Sequence, residues 1–499
     1  MNHSDFQQYV KEFQTSLGDL LSASETIETT NYIEGLPRPL VNKILEMNPL
    51  STFISEEYGG LGDIPSQCLS ILEATAYESI AVALMMGING SLFLEPVSKY
   101  GTPEIKKRVF SRFLNEKAMG GLMITEPEFG TDALSMQTSY QAKESGYHIQ
   151  GKKHWGGLTG IADFWLVTAR HKKTETRLAR DIDLFVCEMD QPGQRIVVEE
   201  YYHKLGLFLI PYGLNKIDIT VPAETRLVPK SSGLKLMMDL LHRSRLRLSG
   251  IGLGFIKRMQ DEAIAHCQSR VVSGTHLADY DQVQFRLAQL QAFYTISSAL
   301  CFYASQVSDV STDLSPYGLQ ANASKALLTE MMQDSAQSLV QLLGAKAYRR
   351  DNIAGRAIVD SRPFQIFEGS NDVMFSQIAD MIIKEMKRVK EMNLYRFFSG
   401  FEFTKQVADR FKDFLNISID PESIQRIKVK LGTISAWAIA IQLVTELASQ
   451  GFRTDLIENA IQITSETMAE LATGIQQGQQ VLLVEGYQEG GDWKQLINS

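Results

Sequence analysis

The chain changes texture twice along its length, and that order constrains the fold more than any single motif does. Up to about residue 120 the pattern is helical: a polar amphipathic opening, then SQCLSILEATAYESIAVALMMGINGSLFLEPVSKYG, rich in Leu, Ala and Met. Pro37, Pro39 and the EYGGLGD turn at Glu57–Asp63 punctuate it. From about 122 to 230 the period shortens. HIQGKKHW, ADFWLVTAR, DIDLFVCEMD, QRIVVEEYY and LNKIDITV are short runs of β-branched and aromatic residues separated by Gly, Asn, Asp and Pro, which predicts an antiparallel β-domain. After Pro229 the chain is helical again. Helices, then strands, then helices argue against a doubly wound sheet and predict an α+β chain with a segregated β-domain.

At 499 residues the chain needs more than one core. The expected division is a helical N-terminal domain (1–121), a β-barrel-like middle domain (122–234), a helical bundle (235–389) and a helical C-terminal extension (390–499). Within the bundle, DSAQSLVQLLGAKAY places Ala336, Leu339, Val340 and Leu343 on one face. Further on, FEFTKQVADRFKDFL spaces Phe403, Val407, Phe411 and Phe414 by three and four residues, and Asp420–Pro421–Glu422 reads as a helix start.

Charge and cysteines narrow the function classes. With 49 basic and 58 acidic residues the net charge is −9, so a nucleic acid meets no general attraction. Cys68, Cys187, Cys267 and Cys301 lie far apart without a CxxC pair, which fits a reducing, cytoplasmic location. The opening residues carry Asp5, Glu12 and Asp19 and no apolar signal core. No transmembrane segment is expected, since SIAVALMMGI is about half the length required.

Several chemistries lack their motif. Gly250, Gly252 and Gly254 sit inside a helical run with no strand before them, so they do not cradle a dinucleotide, and Gly250 with Gly254 reads instead as a close helix contact. The histidines show no metal-ligand spacing, and no metal is expected. Neither a serine-hydrolase elbow nor an NTPase phosphate loop is present. Three stretches stand out. MITEPEFGTD (Met123–Asp132) bends the chain where helix gives way to strand and carries Thr125 and Thr131; alone it reads as a capped turn. GKKHWGGLTG sets Trp155 before two glycines, a surface for stacking a flat ring or a core indole. In QIFEGSND, Glu368 follows Ile–Phe; a desolvated carboxylate there is a stronger base, although a lone Glu is more often solvated.

Taken together, these stretches resemble the acyl-CoA dehydrogenase family of flavoproteins. The resemblance runs from roughly Glu57 to Lys390 through EEYGGLGD, ITEPEFGTD with Met136 and Thr138, GYHIQGKKHW with Ala162–Asp163, VPAETRL, QLLGAKAY, Asp360 and FEGSND, in order. It implies FAD-dependent α,β-dehydrogenation of an acyl thioester, carried on coenzyme A or an acyl-carrier protein, to the trans-2-enoyl thioester. Glu368 then corresponds to the catalytic base, and Ser244 to the position where a minority of members place theirs. Leu122, Met123, Thr125, Thr131, Trp155, Gly157 and Ser370 correspond to flavin contacts. Arg270, Gln341 and Gly344 correspond to contacts with a neighbouring subunit's FAD, which implies a homodimer or homotetramer. Thr131, His242, Arg245 and Gly369 fall at the substrate end.

There are departures from the family pattern. Gly157 stands where Thr or Ser is usual, Val272–Ser273 where Thr–Phe is common, and Asp281 where Gln is frequent. His242 replaces an Asp, Asp380 falls where some members use Arg, and no Arg stands near Pro316. A thinned cationic site for the nucleotide phosphates favours a carrier-protein handle. The expected electron acceptor is an electron-transfer flavoprotein. An oxidase using O2 and a degenerate member acting as a binding protein are the alternatives.

Overall fold

The structure is a computed structural model that describes residues 2–23, 27, 30–174, 176–478, 481–486, 489 and 491–497. The helical opening comprises α1 (His3–Ser22), α2 (Arg38–Glu46), α3 (Pro65–Glu78), α4 (Ile80–Asn89), α5 (Glu95–Tyr100) and α6 (Pro103–Glu116). Helix α1 buries Phe6, Phe13 and Leu17 and exposes its charges, as its amphipathic pattern requires. Between α4 and α5 the helix is not interrupted but widened: Gly90–Leu94 form a π turn, a feature that recurs at functional sites. Asn89 sits at that widening, its side chain donating to Met85 and accepting the Gly120 N–H.

Eight strands follow: β1 (Gly120–Met123), β2 (Ser139–Lys143), β3 (Gly146–His154), β4 (Phe164–Thr174), β5 (Arg177–Leu178), β6 (Asp183–Glu188), β7 (Val197–Tyr201) and β8 (Gly213–Pro222). They form one curled sheet in the order β1-β4-β2-β3-β8-β7, with β5 and β6 also on β4. The sheet is mixed rather than wholly antiparallel, because β4 runs parallel to both β1 and β2. Along β8 burial alternates, with Ile217, Ile219 and Val221 inward, the period of a sheet with one face on the core.

The bundle holds α7 (Gly233–Ser269), a hairpin of β9 (Val271–Val272) and β10 (Thr275–His276), then α8 (Asp281–Val307), α9 (Gly318–Leu343), α10 (Ile353–Ser361) and α11 (Asn371–Val389). Gly250 and Gly254 do serve helix contact: a Cβ would lie 2.7 Å from the Leu69 carbonyl oxygen and 2.0 Å from that of Glu73. Helices α3 and α7 thus meet nearly backbone to backbone.

The extension holds α12 (Leu394–Gly400), α13 (Lys412–Leu415), α14 (Gln425–Ser449) and α15 (Thr454–Gln476). Two sequence expectations change here. Phe403–Phe414 is not one helix but turns, a 3-10 segment and the short α13, so its aromatics plug the core from several directions. Asp420 caps a turn by accepting the Glu422 N–H, and the helix itself begins at Gln425. The expectation of no apolar run of bilayer length also changes. Ile80–Tyr100 and Gln425–Ser449 are both long and apolar enough to span a membrane by length and composition, and both are mostly buried inside the protein.

Helix α14 lies across α11, α8 and α9. Contact with α11 is closest at Gly432, where a Cβ would stand 1.8 Å from the Phe375 carbonyl oxygen. Backbone cannot give way as a flexible side chain can. Gly432→Val is therefore expected to destabilise the protein by about 1–3 kcal/mol or more, read as a lowered thermal midpoint, whereas Gly400→Ala, with open space around it, should not.

Candidate active site

Three helices converge on Glu368. It lies just before α11 in a turn where Glu368 has φ +53° and Gly369 φ +97°. A side-chain-bearing residue adopts that left-handed region only under constraint. The constraint is visible. Arg245, on α7, donates from Nη2 to the Glu368 carbonyl at 2.7 Å and from Nη1 to Asn322 Oδ1 at 2.7 Å. Lys325, on α9, donates to the Gly369 carbonyl at 2.8 Å and to Asn371 Oδ1 at 2.9 Å. Both carbonyls are thus held by buried cations, while the backbone N–H groups of Glu368 and Gly369 have no acceptor among the described residues.

The Glu368 carboxylate is held at one oxygen only. Ser244 Oγ donates to Oε1 at 2.8 Å, whereas Oε2 is buried without a partner among the described residues. Burial pushes the carboxyl above its ordinary range, opposed by the charges of Arg245 and Lys325 and by the Ser244 hydrogen bond. Burial likewise pulls Lys325 down to about 7. Glu368 lines a small cavity of about 10 Å³ with Leu72, Leu84, Ile88, Leu248 and Ile251. An apolar cavity with a desolvated carboxylate at one end suits proton abstraction from a hydrocarbon chain.

A second wall comes from the β-domain. Trp155 has φ +56° and the residue is 53% exposed. Tyr202 and Tyr212 flank it at 4.6 and 6.0 Å between ring centroids. Its backbone is pinned by the Trp155 N–H to the Gly213 carbonyl and by the neighbouring His154 N–H to the Thr125 carbonyl. Glu126 fixes the preceding turn. It accepts from the N–H groups of Gln137 and Thr138 and pairs with the fully buried Lys153 at 2.9 Å. Burial lowers Lys153 to about 8, against the pull of Glu126. A Cβ on Gly157 would meet Ile88 Cδ1 at 2.5 Å, so Ile88 fills the space that a Thr or Ser would take and links this wall to the Glu368 cavity. The exposed indole, followed by two glycines, fits a planar ring system such as a flavin.

The remaining expected positions divide. Leu122 and Met123 are buried core side chains on β1, a sheet edge, so any contact they make to a cofactor is through backbone. Thr125 is half-buried, Thr131 exposed, and Ser370 precedes α11 without a side-chain cap bond. Arg270, Gln341 and Gly344 are exposed. At the substrate end the structure departs from expectation. Arg245 is buried and spent on Asn322 and the Glu368 carbonyl, which makes it a support of the Glu368 turn. His242 is buried, with Nδ1 on the Leu314 carbonyl, and burial lowers it to about 4. Asp380 pairs with Lys428 of α14 at 2.9 Å. Lys325 and Asn322 carry no sequence signal and emerge only from the structure.

A clustering of ligand-type atoms also emerges that sequence spacing does not reveal. Asp63, Cys68 and Glu95 bring such atoms within 4.8 Å of one another. The cation among them is Arg247, whose Nε and Nη2 donate to Glu95 Oε1 at 2.9 and 2.6 Å, so the group is a buried ion-pair network.

Comparison with known proteins follows the same three-part division. The acyl-CoA dehydrogenase N-terminal domain matches residues 4–117, the middle domain 121–214 and the C-terminal domain 231–383. An acyl-CoA dehydrogenase of Bacillus subtilis (strain 168) is 25% identical over 361 residues, covering 71% of this chain and 91% of its own. Among solved structures, an acyl-CoA dehydrogenase from Bacillus anthracis complexed with FAD superimposes with a TM-score of 0.75 at 18% identity. It covers 95% of this chain and 88% of its own, so its likeness takes in the extension. The prolyl acyl carrier protein oxidase AnaB gives a TM-score of 0.68 at 18% identity, over 77% of this chain and all of its own. With all three of that family's domains present and in order, this chain belongs to the acyl-CoA dehydrogenase family.

Proposed function

We propose that the protein dehydrogenates an acyl thioester between Cα and Cβ, with Glu368 as the base that takes the α-proton. One observation carries the reading: a carboxylate whose buried Oε2 has no partner among the described residues, lining an apolar cavity beside two backbone N–H groups likewise without acceptors among them. FAD, when bound against Trp155, supplies the acceptor for the β-hydride.

The chain's own part is to move the proton and stabilise charge. A thioester acidifies its α-hydrogen too little for a solvated carboxylate to remove it quickly. Burial strengthens Glu368 as a base, while the Glu368 and Gly369 N–H groups are available to the developing enolate oxygen. Ser244 fixes the carboxylate from the side away from the reaction, leaving Oε2 to accept. The exposed Arg270, Gln341 and Gly344 suit contact with a second subunit's cofactor in a homo-oligomer. An electron-transfer flavoprotein is the acceptor that fits the family, and four unpaired cysteines fit a cytoplasmic setting.

The handle we infer is the phosphopantetheine arm of a carrier protein. Arg245, His242 and Asp380, the positions at the coenzyme end, are committed respectively to the Glu368 turn, to Leu314 and to Lys428. None is left as a free cation for a nucleotide phosphate. AnaB, named for a carrier-bound substrate, shares the fold.

Three outcomes are expected. Glu368→Gln should slow anaerobic bleaching of the flavin by substrate at least about 10²–10⁴-fold while retaining yellow FAD; bleaching at the unmodified rate would refute the assignment. Ser244→Ala removes a donor to the ionised carboxylate, so the Glu368 pKa rises and the acid limb of the kcat/KM profile moves to higher pH. An unmoved limb would show that Ser244 does not tune the base. Carrier-bound acyl groups should exceed the matching acyl-CoA by roughly tenfold in kcat/KM, equivalent to about 1.4 kcal/mol, and parity would return the handle to coenzyme A.

A further inference from the structure

Outside the Glu368 turn, the least compensated buried acid is Asp63, which ends the Glu57–Asp63 turn. It is 3% exposed and its backbone holds φ +55°, in the left-handed region. Among the described residues the only donor to its carboxyl is the Cys68 thiol, with Sγ 3.9 Å from Oδ1, and Oδ2 has no partner. The cations of α7 are engaged elsewhere. Arg247 gives Nε and Nη2 to Glu95 Oε1 and Nη1 to Ser308 Oγ. Arg243 gives its Nη groups to the carbonyls of Ser308, Asp309 and Thr312 and pairs with Asp239. Glu95, which opens α5, is 1% exposed, and its Oε2 is likewise without a partner among the described residues. Asp63, Cys68 and Glu95 bring atoms within 4.8 Å of one another, so two carboxyls share one dry neighbourhood in which the guanidinium is already paired to one of them. A carboxylate buried without a cation or a strong donor is costly to hold, and close carboxyls do not both ionise readily.

We infer that Asp63 is buried as the neutral acid, its Oδ2 carrying the proton that both orphaned oxygens lack, and that this proton latches the Glu57–Asp63 turn to α5. A protonated Oδ2 becomes a donor, and Glu95 Oε2 is the acceptor left over for it. The surroundings agree. Burial, with the charges of Glu95 and Asp309, pushes the Asp63 carboxyl up to about 8, against the pull of Arg247 and Arg243. Burial also holds the Cys68 thiol well above its ordinary value, so it adds no negative charge. Losing the proton sets a second carboxylate beside Glu95, and both then draw on Arg247, whose side chain also lines the Glu368 cavity. Alkaline pH therefore loosens the turn. Nothing in this latch depends on the dehydrogenase reading.

The test compares the unmodified FAD-loaded protein with Asp63→Asn, which keeps the shape, tolerates left-handed φ and cannot ionise. The folded carboxyl binds its proton more tightly than the unfolded one, so the unmodified protein loses stability as pH rises from the ordinary aspartate range towards 8. Asp63→Asn escapes that loss. Its thermal midpoint is expected to gain on the unmodified protein by about 1 °C per pH unit between about pH 5 and 8, then to level off. A midpoint difference that is flat, or that narrows as pH rises, would overturn the inference. A second measurement needs no variant: the infrared spectrum of unmodified protein labelled with carbon-13 at the aspartate carboxyls. A protonated C=O band at about pH 7 that fades by about pH 9 is expected, and its absence would refute a neutral Asp63. A divalent metal ion retained by the purified protein and lost in Asp63→Asn would assign the cluster to that ion and equally defeat the proposal.

Discussion

Two buried cations hold two backbone carbonyls, and the site is organised around that fact. Arg245 and Lys325 come from α7 and α9, helices that the chain reaches on either side of α8, and they grip consecutive carbonyls at Glu368 and Gly369. Among the described residues neither cation meets a carboxylate oxygen there; each takes neutral acceptors, so the carboxylate is not consumed as a counter-ion. A direct ion pair would have depressed the base. Here the positive charge acts at a remove, keeping Glu368 ionisable in a dry setting without tying up Oε2.

The rest of the fold can be read as support for that turn. Gly250 and Gly254 let α7 approach α3 closely, which places Ser244 and Arg245 against a wall of the first domain. Asp360, in the last turn of α10, accepts the Leu207 N–H at 2.5 Å and so ties the β-domain to the bundle. Asp163, just before β4, ties the β-domain to the helical opening instead, accepting the Met119 N–H and pairing with Arg38. Few of these contacts involve surface ion pairs, whose net contribution is small. They are backbone groups answered by buried side chains, which specify geometry more than they add stability.

How much of this was legible in the sequence depends on the range of each interaction. The helix–strand–helix order and the Gly250/Gly254 contact are local or periodic signals, and periodicity reports them faithfully, whereas Glu368 stands out only through the ordered blocks that carry the family resemblance. Lys325 and Arg247 look like ordinary helical charges in sequence. Their burial depends on partners at Gly369 and Glu95, 44 and 152 residues away. Phe403–Phe414 misled because a spacing of three and four residues is satisfied as well by aromatics that converge from successive turns as by one helix face. Helix α4 misled in another way. Its apolar run is prolonged by a π turn, and no residue in GSLFL announces the change of hydrogen-bond register.

The seating of α14 has a consequence for how the protein is made. Helix α11, whose first turn follows the Glu368 loop, carries Phe375, Ile378, Ile382 and Ile383 in its buried set, and α14 lies across it. During synthesis the bundle emerges well before residues 425–449. At roughly 5–20 residues per second, the face awaiting α14 stays uncovered for on the order of several seconds. Throughout that interval the nascent bundle presents a greasy, unfinished surface next to the Glu368 turn. The bundle face beside the Glu368 turn is therefore covered only when the extension arrives, and newly made chains are most exposed to aggregation or chaperone capture just before it docks.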